Sequence, residues 1–94
     1  MNDKILDKIL LLMDQHIHKK ISSKLFKSRY FVIWRKVRDD NIIFPDNIQQ
    51  VLDKIFSDCD LYEEDKILRG KYSISESKLL EYTNENFKIL KKIK

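Results

Sequence analysis

The chain has 94 residues, 43% of them hydrophobic, with 19 Lys/Arg against 15 Asp/Glu and a formal net charge of +4. That length suits one domain, residues 1–94, with a single core; an Ile- and Leu-rich composition with one Gly and one Pro argues for helices and against disorder. A single cysteine excludes an internal disulfide and a cysteine metal cluster, and the longest apolar run, Ile9 to Met13, is too short for a membrane span, so the chain reads as cytoplasmic.

From Asn2 to about Lys19, the residues Ile5, Leu6, Ile9, Leu10, Leu12, Met13 and Ile17 recur at steps of three and four, which predicts a first helix. The serines after Ile21 offer a cap for a second, whose face carries Leu25, Phe26, Tyr30, Ile33, Trp34 and Val37 and which ends near Asp39. Pro45 forces Phe44 toward an extended backbone, and Asp46 with Gln49 three residues on resembles a capping box for the third helix. Ile48, Val51, Leu52, Ile55 and Phe56 form that helix's stripe, with Cys59 at its edge.

Residues 60 to 72 are less periodic, and Gly70 marks a turn or a helix stop. A last helix starts by one of two caps: Ser73 with Glu76 as a capping box, or Ser75 with Ile74 against Leu79 as a hydrophobic staple. Leu79, Leu80, Thr83, Phe87 and Leu90 continue its face, and Lys91, Lys92 and Lys94 suit the negative end of its dipole. The predicted fold is therefore all-α, a compact antiparallel four-helix bundle, in which Trp34 is a core aromatic.

Few of these residues suggest catalysis. His16 and His18 point about 200° apart on a helix and cannot share a metal, so both read as exposed or, for His18 with Asp14, as half of a surface salt bridge. Carboxylates around Cys59 disfavour its thiolate, and no phosphate-cradling loop, nucleophile elbow or zinc signature is present. The sequence thus predicts a protein that is not an enzyme and needs no cofactor or metal.

Charge is distributed unevenly. Residues 1–42 carry a net +5, residues 43–65 a net −6, and residues 66–94 again +5. Such an asymmetry speaks of partners rather than of fold. On the second helix Lys24, Lys27, Arg35 and Arg38 line one outer side, with Arg29 and Lys36 near its border, a row suited to phosphates. The acidic island is densest in FSDCDLYEEDK, residues 56–66, where five carboxylates surround Tyr62. Acids at a helix carboxyl end oppose the dipole by a few tenths of a kcal/mol each, a placement that makes them candidates for a contact surface. Asp58, Asp60, Glu63 and Asp65 are expected to face outward, with Leu61 anchored inward. Clustered carboxylates with an embedded tyrosine suit a cationic partner such as a nuclease cleft.

The order LLMDQHIHKKISSKLFKSRYFVIWRKVRDD, then NIQQVLDKIFSDCDLYEEDKILRGKYSISESKLLEY, resembles the colicin D-like immunity family of small bacterial self-protection proteins. The marks are Ile21 and Ser22 at the entry to an aromatic second helix with Phe26, Tyr30 and Trp34, then Leu52 to Asp65, then Ile74 and Ser75 opening the last helix. The resemblance runs from about Leu11 to Leu90, and Leu52 to Asp65 is its most specific part.

It implies a helical bundle that binds the nuclease domain of a cognate toxin one-to-one, a toxin that in the family's type member cleaves transfer RNA. On that implication Asp58, Asp60, Tyr62, Glu63, Glu64 and Asp65 form a toxin-binding patch that stands in for RNA. Because the chain as a whole is basic, such mimicry is confined to the patch; the toxin is then a tRNase of the colicin type, another nuclease, or a contact-dependent growth inhibitor. The alternative reading is a small helical nucleic-acid-binding or regulatory protein that uses the basic face of the second helix. Neither reading requires a membrane or an obligate homo-oligomer.

Overall fold

The structure is a computed structural model that describes residues 3–63, 65, 67, 68, 70 and 73–93. Periodicity at three and four becomes four helices: α1 (Asp3–Ile17), α2 (Ser23–Asp39), α3 (Asp46–Leu61) and α4 (Glu76–Ile93). Each helix packs on the next, and α1 closes the ring by packing on α4. Contacts between opposite ends show the antiparallel course: Lys27, early in α2, reaches Tyr62 at the end of α3, while Asn47, early in α3, lies in one cleft with Ile93 at the end of α4. The fold is the all-α four-helix bundle that the spacing predicts.

The core takes its largest side chains from every helix: Leu6, Ile9 and Met13 from α1, Phe26 and Tyr30 from α2, Leu52, Ile55 and Cys59 from α3, and Leu79 and Leu90 from α4. Tyr30 satisfies its hydroxyl by donating to the Leu52 carbonyl at 2.8 Å, so the ring is buried without stranding its polar end. Trp34 is only half-buried; it stacks on Phe56 with ring centroids 4.8 Å apart and marks the edge of the core.

The helix ends show what the sequence signals were worth. Ser22 caps α2 as expected, its hydroxyl accepting from the Leu25 amide at 3.1 Å. For α4 the Ser75 alternative holds: α4 begins at Glu76, and the Ser75 hydroxyl accepts from the Lys78 amide at 3.3 Å. The box proposed for α3 does not form. Pro45 occupies the cap position with no side-chain cap bond, Asp46 is already helical, and Gln49 instead donates to Asp53 one turn on, at 2.8 Å.

Helix α1 stops two residues short of the expected Lys19 because Lys19 adopts φ 58°. The Lys20 amide then donates to the Gln15 carbonyl and the Lys19 amide to the His16 carbonyl, the paired bonds of a Schellman stop. Asn41, at φ 52°, ends α2 by the same pattern, with Ile42 bonded to Val37 and Asn41 to Arg38. Asparagine tolerates that conformation better than lysine does.

His16 departs from expectation altogether. It is 1% exposed, stacked on Phe26 with centroids 4.3 Å apart, and bonded through Nε2 to the Ser23 hydroxyl at 2.9 Å and through Nδ1 to the Thr83 hydroxyl at 3.1 Å. Position outweighs residue type here, since His16 follows Ile9 and Met13 at steps of four and three on the buried stripe. His18 stays at the surface beside Asp14, 3.2 Å away, as its spacing suggests.

Candidate functional site

Helix α3 carries the acidic run to the surface and then ends abruptly. Its cap residue Tyr62 turns into extended backbone at φ −70°, ψ 126°, and forms an isolated parallel bridge with Ile74. Ile74 donates to the Leu61 carbonyl at 2.9 Å and Glu63 to the Ile74 carbonyl at 3.3 Å. Tyr62 and Ile74, the two ends of the intervening segment, therefore meet at one place on the bundle. Lys27 of α2 secures its first end by donating to the Tyr62 carbonyl at 2.9 Å.

Of the six residues expected to form one patch, the five that the structure describes separate into two groups. Asp60 and Asp65 are exposed and Glu63 is half-exposed, as the outward reading requires. Asp60 has no hydrogen bond or ion pair among the described residues. Glu63 Oε1 accepts from the Asp65 amide at 3.0 Å, and Asp65 Oδ1 accepts from the Ile67 amide at 2.9 Å, so two carboxylates are oriented by the loop's own backbone. Glu64 lies outside the described residues.

Asp58 and Tyr62 correct the outward reading. Asp58 is 6% exposed; it accepts from the Asn86 side-chain amide at 2.9 Å and pairs with Lys54 at 3.1 Å. Its position, three residues after Ile55 on the buried stripe, turns it inward, where α4 supplies the amide that makes burial tolerable. Tyr62 is 7% exposed and packs in the core, whereas Leu61, expected to be the anchor, is 40% exposed. Both follow the helical phase of α3: Tyr62 comes three residues after Cys59 and continues the stripe of Ile55, Asp58 and Cys59, whereas Leu61 falls off it.

Sequence reasoning also passed over Ile67 and Leu68, which are 92% and 69% exposed beside the acids. Two large apolar side chains in a segment without helical periodicity were the available signal. They expose the apolar area that Tyr62, buried instead, was expected to expose.

Cys59, immediately beneath, is fully buried, and its thiol is pushed up to about 12, first by burial and then by the Asp58 carboxylate, against a smaller opposing pull from Lys27. It is packing, not a nucleophile. Among the described residues no group of three or more His, Cys, Asp or Glu side chains is placed to hold a metal ion, and no helix is long and apolar enough to cross a membrane.

The structure is thus a four-helix scaffold in which the chain beyond α3 is tied back to the core at Tyr62, by the bridge to Ile74 and by Lys27. The chain matches the family of bacterial self-protective colicin-like immunity over residues 4–90, and it belongs to that family. Membership makes it a toxin-neutralising immunity protein, with a cognate toxin as its partner. No match to a curated protein accompanies the family match.

Proposed function

We propose that this immunity protein neutralises the nuclease domain of its toxin by one-to-one binding, without catalysis of its own, and that the loop following α3 is the part that enters the toxin's cationic cleft. The observation that carries the reading is Asp60, exposed and without an internal cation, beside Glu63 and Asp65 held by backbone amides. Nuclease clefts are cationic because they bind phosphates, and a fixed row of carboxylates offers the same charge-assisted acceptors. Glu64 extends the same run of acids in the sequence. Asp58 and Tyr62 support it from below, and Ile67 and Leu68 add apolar contact beside it.

The test is calorimetric titration with the carboxy-terminal domain of the polypeptide encoded immediately upstream. Replacing Asp60 and Asp65 by Asn and Glu63 by Gln together should weaken binding on the order of 100-fold or more, while the circular dichroism spectrum stays unchanged. Undiminished affinity in the triple variant would remove the acidic loop from the mechanism.

A further inference from the structure

Half-buried rings line the outer seam between α2 and α3. Phe31 lies 5.2 Å from Phe56, and Trp34 stacks on the same Phe56 at 4.8 Å, centroid to centroid. An open cleft of about 290 Å³ sits over these three rings with Arg35 and Arg38 at its rim. Phe31 also borders a second cleft of about 250 Å³, shared with Lys24, Lys27, Ser28, Tyr62 and Glu63. Together they make one groove that starts at the acidic loop and runs along α2 over an aromatic floor.

The groove is basic along most of its length: Lys24 and Lys27 accompany the single carboxylate of Glu63 at its loop end, and α2 carries six Lys/Arg against one Asp between Ser23 and Asp39. Arg35 is exposed and makes no ion pair among the described residues, and Arg38 pairs only with its exposed neighbour Asp39, at 3.3 Å. Two guanidinium groups above an apolar floor form a receptor for a carboxylate next to an apolar side chain.

We infer that the α2–α3 groove is a second contact surface for the same toxin, and that it receives an acidic segment of the toxin, one carboxylate or more on Arg35 and Arg38 and an apolar side chain on the Phe31–Trp34–Phe56 floor. This rests on the immunity reading and goes beyond it, because it requires the toxin to place acidic residues beside its cationic cleft. A nucleic acid fits less well. A strand following the groove toward the loop meets the Glu63 carboxylate, and Trp34 and Phe56 already stack on each other, which takes up ring surface that a base would need. An acidic protein segment matches Arg35 and Arg38 at one end and reaches Lys24 and Lys27 at the other.

The experiment compares two variants of the full chain, Arg35→Glu with Arg38→Glu, and the loop triple described above, each titrated with the upstream-encoded toxin domain and with an oligouridylate at low and moderate salt. Both arginines are exposed, so folding should survive, as a thermal melt would verify. The expected result is loss of toxin affinity on the order of 100-fold in the arginine variant, with a further, separate loss when the loop is changed as well. Wild-type affinity in the arginine variant, with affinity lost in the loop triple, would overturn the groove assignment and leave the acidic loop standing. Loss in the arginine variant alone would uphold the groove and overturn the loop. If the wild-type chain bound the oligouridylate and not the toxin domain, in a manner dependent on Arg35 and Arg38, the groove would be a nucleic-acid surface and both assignments would fall.

Discussion

Acid should unfold this protein earlier than its carboxylates alone require, because of His16. The ring is buried between two hydroxyls and against Phe26, with no carboxylate in hydrogen-bond contact. Burial lowers its pKa from 6.5 to about 4, and the field of Glu76 opposes that shift only in part. Between those values the unfolded chain binds a proton that the folded chain does not. Stability is therefore complete above the unfolded value and is lost as pH falls toward the folded one.

At 1.36 kcal/mol per unit, the full span corresponds to about 3 kcal/mol, and about 2 kcal/mol is already gone near pH 5. Urea unfolding followed by circular dichroism at pH 7 and about pH 5, in the wild type and in His16→Gln, isolates that contribution. The variant starts less stable but should lose about 2 kcal/mol less between the two conditions; His18 is common to both proteins and cancels. An equal pH-dependent loss in both would refute the buried-neutral assignment.

Two further predictions follow from the geometry. Asp58→Ala strips the buried Asn86 amide of its acceptor and should cost about 2 kcal/mol of stability, while toxin affinity measured below the melting transition falls far less than in the loop triple; unchanged stability with abolished binding would return Asp58 to the contact surface. Lys19→Gly relieves a left-handed backbone at the stop of α1 and should raise unfolding stability by about 0.5–1 kcal/mol, measured by urea titration.

The helical faces were legible because burial repeats at three and four residues and the sequence repeats with it. The class and order of the elements followed from that alone. Three polar residues were misjudged or overlooked for one reason. His16, Asp58 and Asn86 each occupy a stripe position, and each is buried because a partner on another helix satisfies it: Ser23 and Thr83 for His16, Asn86 and Asp58 for each other. Such partners are distant in sequence, separated by as many as 67 positions for His16 and Thr83, so residue type suggested water where position indicated the core. The acidic island itself was visible as a charge count. Which acids it presents was not, because Asp58 falls on the buried stripe of α3, where the Asn86 amide of α4 receives it.

Net charge poses a further problem for an acidic binding loop on a basic chain. Lysine and arginine on both sides of it can neutralise it internally, and a partner's cations must then displace them before gaining anything. The fold limits that competition. Lys27, the cation seated at the loop's base, donates to the Tyr62 carbonyl, and Lys54 pairs with the buried Asp58; neither is bonded to Asp60 or Asp65. Asp65 takes a backbone amide, which fixes direction without cancelling charge. Asp60, with no internal cation among the described residues, can therefore meet a cationic cleft at little cost of rearrangement. Under the proposed mechanism, Lys27 and Lys54 are engaged elsewhere, and Asp60 and Asp65 are the carboxylates left exposed for the toxin.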